Sequence, residues 1–422
     1  MGPSGCFVLT ENITWGKAAR NGDADGGVAR FEGWDILRAM ATMTSADLRV
    51  HNQARLLRAV HDAPEPLTRA AAARLLTIGR NTAGALVGEL ERARLLHEIP
   101  AASTGRGRPT TLLVPHPEGP LAFAADIRED SWTLAQIALG GELTELESGE
   151  HDRTPAVFTQ IREAVERHAT DRLAAVGIAI AGPIWDGRWL HISHLGWDAV
   201  DLDEHLGDAW PTVIGNDARL AGLAEARRGA LRGTGTAMHF HIDFDIGGTL
   251  LLAGDSQGGA HNIAGEFGHM PLTGSPLRCM CGALGCWSLD VGTNALMRRF
   301  GKAPGYGAGR ELGREVLRRA EEGDAKAAKA VDDNAAALGR GLGALANALD
   351  PEAISLSGLG VDLIRLRRSL IEETCEAGLM AFRRSEAPPI VAGTVGEIGP
   401  LRGAAEIAFD EVLTPEWLGS RL

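Results

Sequence analysis

His269, Cys279, Cys281 and Cys286 carry the most specific chemistry in this chain. They follow the pattern H-x9-C-x-C-x4-C. One imidazole and three thiolates are a donor set for a closed tetrahedral Zn²⁺ site. Gly282 and Gly285 lie inside the cysteine run, where a chain turning tightly around a metal needs unhindered backbone. The pattern therefore predicts a structural zinc. The competing reading is a disulfide plus a spare thiol. Against it stand the odd cysteine count of five and an N-terminus without the charged head and apolar run of a secretory leader. Cys6 and Cys375 stand alone and are expected to be inert.

A second constellation is Asn216-Asp217, at the end of the apolar run Val213-Ile214-Gly215. A carboxamide beside a carboxylate offers both the donors and the acceptors that vicinal sugar hydroxyls require. The same pair is also a common turn, and taken alone that is the stronger reading.

A third lies near the N-terminus. Asn52 to His61 places Leu56, Leu57 and Val60 on one helical face. After the break at Ala63-Pro64-Glu65-Pro66, Thr68 is a good N-cap for the helix RAAAARLL. The turn Thr77-Ile78-Gly79 leads to a helix from about Arg80 to Ala93. Two helices joined by a short turn are the sequence form of helix-turn-helix. The following LLHEIPAASTGRGRPTTLLVP reads as a β-hairpin wing. Together they predict a winged helix-turn-helix, whose second helix enters the major groove N-terminus first. That places Arg80, Asn81 and Thr82 at base edges. It places Arg106 and Arg108, on the wing tip, at phosphates or a narrow minor groove. The plainer alternative is a helical packing module with surface arginines. The Gly-Arg-Gly-Arg-Pro tip weighs against it, because two arginines on a hairpin have no packing role.

The motifs around the cysteines resemble the signature of the ROK family of repressors, open reading frames and sugar kinases. The resemblance rests on Gly265-Glu266-Phe267-Gly268-His269, then on Cys279-x-Cys281-Gly282-x-x-Gly285-Cys286. It runs from about Leu121 to the end of the chain. The stretch before it is similar to the N-terminal domain of ROK repressors, whose wing ends in a similar Gly-Arg-Pro. Two departures are Thr77, where such turns usually carry Gly, and Gly79, where a capping Ser is usual.

The resemblance implies an actin-like, two-lobed sugar-kinase fold and a sugar site formed by Asn216, Asp217, Glu266 and His269. In related kinases the residue matching Asp217 is the general base on the sugar hydroxyl. Glu266 would bond sugar hydroxyls. His269 would ligate zinc through one ring nitrogen and face the sugar with the other. Family members commonly have Glu at the position of Ser288, so a carboxylate contact is shortened here to a hydroxyl, with Asp290 as a conceivable substitute. The first phosphate loop of an actin-like kinase needs glycines whose amides approach the phosphates. Here it reads Asp126-Ile127-Arg128-Glu129-Asp130-Ser131, with Arg and Glu in the glycine positions. Asp245-Ile246-Gly247-Gly248-Thr249 occupies the place of the second loop, as a relic or a tight hairpin. The expectation is therefore a regulator and not an ATP-dependent enzyme.

The elements that must position these residues are legible in outline. A chain of 422 residues exceeds one compact core, and two or three domains are expected. Residues 1–44 read as a disordered extension and 45–116 as the DNA-binding domain. Residues 120–422 read as a sugar-binding domain of two α/β lobes, with a zinc loop at 265–290. Strand-like runs such as LAFAADI, WTLAQIAL and VGIAIAG alternate with helical stretches, which implies an α/β fold. A long helical span from Leu312 to Leu349 separates the halves. No apolar run reaches the length needed to span a bilayer, so a cytoplasmic protein is expected.

The net charge of −13 argues at first against nucleic acid, but it is unevenly spread. Between Asp47 and Arg108 ten Arg stand against six acidic residues, a net of +4. An acidic body with a basic N-terminal module fits a DNA reader attached to a larger domain. Winged helices usually read operators as dimers, so the expected partners are double-stranded operator DNA, a sugar effector and a second copy of the chain, as homodimer or homotetramer.

Overall fold

The computed structural model describes residues 44–101, 110–303, 305, 307 and 309–422. The expected N-terminal extension and the wing-tip arginines Arg106 and Arg108 lie outside the described residues. The chain divides into a short unit, Met1–Arg49, and a large one, Val50–Leu422. In the short unit Thr44 and Asp47 form a reciprocal capping box: Asp47 N–H donates to Thr44 Oγ1 (3.2 Å) and Thr44 N–H to the Asp47 carboxylate (2.8 Å).

Helix α1 (Ser45–Asp62) buries Leu56, Leu57 and Val60, the face read from the sequence. Helix α2 (Arg69–Leu75) is capped by Thr68, whose hydroxyl accepts from Ala71 N–H (3.0 Å). Helix α3 (Arg80–Arg92) buries Ala83, Leu86, Val87 and Leu90. Strands β1 (Leu67–Thr68), β2 (Leu96–Pro100) and β3 (Thr111–Pro115) form a sheet in the order β1-β3-β2, the base of the wing.

The turn between α2 and α3 bears the cost of both departures noted above. Thr77 sits at φ +56°, in the left-handed region that penalises a β-branched side chain, and Gly79 supplies no side-chain cap to α3. Thr77→Gly is expected to raise stability by about 0.5–1 kcal/mol, after the greater freedom of glycine in the unfolded chain is set against the relieved strain. The urea midpoint reads this directly; a midpoint that falls would show that Thr77 is not strained.

The rest of the large unit is two lobes built on one plan. In lobe 1, β4 (Leu121–Ile127), β5 (Ser131–Ala138) and β6 (Leu143–Glu150) form an antiparallel meander. Helix α4 (Val157–His168) then crosses to β7 (Leu173–Ile180), which lies parallel to β4, and β11 (Thr212–Asn216) lies parallel to β7. A small sheet, β8 (Ile184–Trp185), β9 (Trp189–Ile192) and β10 (Trp197–Asp201), is inserted between them. Lobe 2 repeats the plan. Strands β12 (Thr236–Ile242), β13 (Ile246–Leu252) and β14 (Asp255–Ser256) form the meander. Strand β15 (Ala353–Gly358) runs parallel to β12, and β16 (Ile390–Ala392) parallel to β15. The central strands β4 and β7 are buried along their whole length, as strands covered on both faces must be.

The helices after the last strand of each lobe trade places. Helix α5 (Asp217–Arg228) leaves β11 of lobe 1 but packs on lobe 2: a Cβ on Gly222 would lie 2.3 Å from Thr249 Cγ2. Helix α10 (Gly399–Val412) leaves β16 of lobe 2 but packs on lobe 1, where a Cβ on Gly177 would lie 1.9 Å from Ala404 O. The expected long helical span is two helices, α7 (Gly309–Glu321) and α8 (Ala325–Leu349), parted at Gly323 (φ +91°) with Asp324 capping α8, and α9 (Leu359–Gly378) follows β15. The N-terminal domain is not a separate bead. Its core residues Leu57, Val60, Leu86 and Leu90 belong to one apolar cluster with Ala124 and Ile137 of lobe 1 and Ala408 and Phe409 of α10.

Candidate functional site

A cleft of about 740 Å³ opens between the lobes. Asn216, Asp217, Glu266 and His269, drawn from strand β11, helix α5 and the segment before the cysteines, all line it. The four residues expected from the sequence are thus brought together, though separated by up to half a hundred positions in the chain.

Asn216 is first of all a helix cap. Its Oδ1 accepts from Arg219 N–H (3.1 Å) and its Nδ2 donates to Gly182 O (3.2 Å). The turn reading of Asn216-Asp217 and the site reading therefore both hold: the cap fixes where the next residue points. Asp217 opens α5, with Oδ1 accepting from Ala218 N–H (2.7 Å). Desolvation in the cleft floor raises its carboxyl, opposed by His241. Glu266 is raised to about 7 by burial and by the neighbouring Asp217. Two acids facing one space with little positive charge between them favour a ligand rich in hydrogen-bond donors.

The signature glycines have a packing cause. A Cβ on Gly265 would lie 2.4 Å from Gly248 O, and one on Gly268 would lie 2.1 Å from Ile246 O. The segment that carries Glu266 and His269 is thus pressed against strand β13. The same crowding explains Gly247 and Gly248. They are interior residues of β13, paired with His241 and Phe240, and lie beyond the turn of the hairpin. A Cβ on Gly247 would meet Ala218 at 2.7 Å, and one on Gly248 would meet Phe240 at 2.8 Å.

The side chains of His269, Cys279, Cys281 and Cys286 offer ligand atoms all within 4.8 Å of one another. Cys279 Sγ is 3.7 Å from His269 Nδ1, and Cys281 Sγ is 3.7 Å from Cys286 Sγ. The latter separation is far from a disulfide bond of about 2.05 Å. It matches the edge of about 3.8 Å that a tetrahedron with Zn–S near 2.3 Å has. Gly282 (φ +93°) and Gly285 (φ +69°) turn the backbone around this centre in the left-handed region, as expected. His269 turns Nδ1 to the thiols and Nε2 to Glu266 Oε2 (3.7 Å), so the donor set adjoins the cleft directly. Burial pushes the Cys286 thiol up to about 12, and a soft cation held by this donor set would have to displace that proton. Cys375 is a buried free thiol remote from the cluster in sequence, and Cys6 lies outside the described residues.

Ser288 lines the cleft. It is buried, and its hydroxyl donates to Gly268 O (3.0 Å), clipping the turn that follows the cysteines to the segment that carries His269. Asp290 pairs with Arg299 (3.8 Å) on helix α6 (Thr293–Arg299) and is not among the residues lining the cleft.

At the other end of the cleft, Arg128 and Glu129 stand in the β4–β5 turn, which closes on itself through Arg128 N–H to Ser131 O (2.9 Å). Opposite, the β12–β13 turn presents Asp243-Phe244-Asp245. Burial and Asp243 raise Glu129 to about 7. Arg310 of α7 donates through Nε to Asp243 (2.9 Å) and lies 3.9 Å from Glu129.

Sequence reasoning missed His241. It lines the cleft beside Asp217, its Nδ1 2.8 Å from Ser357 Oγ on β15. The signal was present in MHFHID, where His239 and His241 alternate onto one face of a strand. It also missed Trp287, which is buried and donates to Ala337 O (2.9 Å), anchoring the cysteine loop to α8.

Helix α3 presents Arg80, Asn81 and Thr82, all exposed, in its first turn.

The sequence matches the ROK family over residues 135–411. It is 21% identical over 367 residues to the xylose repressor of Bacillus subtilis, covering 82% of this chain and 92% of that protein. It is 26% identical over 260 residues to the glucokinase of Halalkalibacterium halodurans, covering 55% of this chain and 78% of that protein. Among solved structures, a ROK family transcriptional regulator described as a homologue of the E. coli MLC protein superposes with a TM-score of 0.70 at 20% identity, covering 89% of this chain and 99% of that one. A ROK family glucokinase from Streptomyces griseus, in complex with glucose and AMPPNP, superposes with a TM-score of 0.59 at 24% identity, covering 69% of this chain and 99% of that one. These two likenesses establish the actin-like, two-lobed fold.

Proposed function

The chain belongs to the ROK family, and from that premise we propose that it is a sugar-responsive DNA-binding transcriptional regulator, a repressor released from its operator by a sugar. Residues 45–116 form the DNA-reading head and 120–422 the sugar-binding body. The observation that carries this reading is the head itself: a helix-turn-helix with its wing, presenting Arg80, Asn81 and Thr82 to solvent and sharing a core with the lobe that holds the cleft. Similarity to the xylose repressor over 367 residues supports it.

Asn216, Asp217, Glu266 and His269 would receive the sugar. Arg80, Asn81 and Thr82 would read bases, with Arg106 and Arg108 gripping the backbone or the minor groove. His269, Cys279, Cys281 and Cys286 would hold a structural zinc, which supplies a rigid staple and no reaction. The protein would act in the cytoplasm as a homodimer or homotetramer on a two-fold operator.

The kinase relatives supply the second reading, and Asp217 at the start of α5 is the residue that favours it. Against it stands the chemistry of the phosphate end of the cleft. Arg128 and Glu129 occupy the glycine positions of the first loop. Asp243, Asp245 and Glu129 crowd the place where an anionic phosphate chain would lie, and like charges in a cleft repel it. Phosphoryl transfer depends on positioning and on positive charge at the phosphates; here Arg128 and Arg310 are already paired with Asp126 and Asp243.

A mobility shift on DNA from upstream of the chain's own coding region, titrated with a panel of sugars, tests both readings. One sugar should release the DNA. Moving the protein from mostly bound to mostly free needs about 5.5 kcal/mol of differential binding, so the effect is large if present. ATP-dependent phosphorylation of a sugar, with no DNA binding, would replace the regulator with the kinase.

A further inference from the structure

We infer that helix α5 is the mechanical link between cleft and DNA head, and that Arg228 at its far end is the positioning residue through which a sugar controls DNA affinity. The inference rests on the regulator reading above.

Helix α5 begins in the sugar site, with Asn216 as its cap and Asp217 as its first residue. Twelve residues later it ends in Arg227 and Arg228, about 18 Å away at 1.5 Å per residue. Arg228 and Arg232 grip the end of α1. The last carbonyls of a helix have no partner within it; here Arg228 donates to His61 O (2.7 Å), and Arg232 just beyond α5 donates to Asp62 O. Arg228 also donates to Glu406 of α10 (2.6 Å). Arg227 makes a forked pair with Asp410 (2.9 and 3.0 Å), and Arg58 of α1 reaches the same carboxylate. One charged cluster thus joins α1, α5 and α10.

Helix α5 bridges the head and both lobes, since its Leu220 and Leu223 belong to the same apolar cluster as the head. The core of the head is continuous with lobe 1 and α10. Helix α5 is pressed on the sheet of lobe 2 through Gly222 and Ala218. A ligand that changes the angle between the lobes must therefore slide α5 along α10 or carry both. Sliding is stiff, because a Cβ on Gly403 would lie only 2.0 Å from Leu220 O. Displacement of Asp217 is thus delivered at Arg228, where α1 ends.

The cluster is also not locked. His61 Nε2 stands 3.5 Å from Glu406 and Arg228 3.8 Å from Asp62, just outside good hydrogen-bond reach. His61 acts as a fixed spacer and not as a proton switch. Its Nδ1 accepts from Gly140 N–H (3.0 Å), its ring is fully buried, and desolvation together with the Arg228 charge opposes protonation more than Glu406 and Asp62 favour it.

The test uses the full-length protein, with D-xylose, D-glucose and N-acetyl-D-glucosamine each as probe. Sugar binding is measured by calorimetry, DNA binding by fluorescence anisotropy with and without sugar, and amide exchange is followed in the last turn of α1. Arg228→Lys keeps the charge and removes the fork; Arg232→Gln is the milder companion should Arg228→Lys fold poorly. In the wild type, sugar should alter exchange at residues 58–62. In the variants sugar affinity should hold, while the sugar-induced change in DNA affinity shrinks about tenfold. Unchanged release in both variants would overturn the link. So would loss of release that merely follows loss of sugar binding. A wild-type protein whose DNA affinity ignores every sugar would instead overturn the regulator reading, and this inference with it.

Discussion

Cys281→Ser is expected to release the metal and, with it, most of the sugar affinity, while the chain stays folded. The donor set is four atoms within 4.8 Å, and removing one thiolate from a closed tetrahedral site lowers zinc affinity by orders of magnitude. The loop has little else to hold its exposed half. Met280, Leu277 and Leu284 are about half exposed, and Cys281 itself is exposed. Its other half is anchored by Trp287 in the core of lobe 2. The variant should therefore lose the loop locally and keep the lobe. Because His269 lies against both the thiols and Glu266, freeing it also frees a wall of the cleft. Sugar affinity should fall about 10–100-fold, the usual consequence of disturbing the surroundings of a metal-bound residue. Zinc content by elemental analysis, calorimetry with the effector sugar and a thermal melt give the three readings. One equivalent of zinc retained in the variant would sink this account of the cluster.

The cluster of His269, Cys279, Cys281 and Cys286 was legible because its chemistry is local. Donor types, spacing and the two glycines all fall within a short stretch, and the backbone conformations at Gly282 and Gly285 follow from it. The helix faces of the head and the wing strands were legible for the same reason: periodicity and turn residues act over a few positions. The cap at Thr68 behaved as its residue type predicts.

What the sequence hid is long-range or depends on what a residue touches. Gly247-Gly248 looks like a phosphate loop in one dimension. Only the approach of Ala218 and Phe240 shows that bulk is excluded there by packing. Ser288 reads as a weakened sugar contact, yet its hydroxyl is turned to Gly268 O. The cluster of Arg58, His61, Arg228, Glu406 and Asp410 joins residues hundreds of positions apart. No local pattern announces it, since each is an ordinary charged residue on an amphipathic helix. The meeting of the apolar faces of α1 and α10 in one core is hidden for the same reason.

Asn81→Ala should cost the protein its sequence preference before it costs it DNA binding. Asn81 lies in the first turn of α3, exposed, beside Arg80 and Thr82, while the opposite face of the helix, with Leu86, Val87 and Leu90, holds the head together. The substitution therefore leaves the fold intact. A side-chain amide paired to an adenine edge discriminates by about 1–3 kcal/mol, so affinity for the operator should fall roughly 5–150-fold while affinity for unrelated duplex stays level. Arg80→Ala should show the same pattern if Arg80 reads a guanine. A uniform loss on all duplexes would assign it to phosphates instead. Arg106→Ala and Arg108→Ala are expected to differ in kind. If the wing tip grips phosphate, each lowers the slope of log K against log salt by about one, without altering the ranking of sequences. Competition titrations over a salt series separate the two behaviours. Should Asn81→Ala bind operator and random duplex as the wild type does, α3 is not the reading helix, and the exposed arginines of the head belong to a packing module.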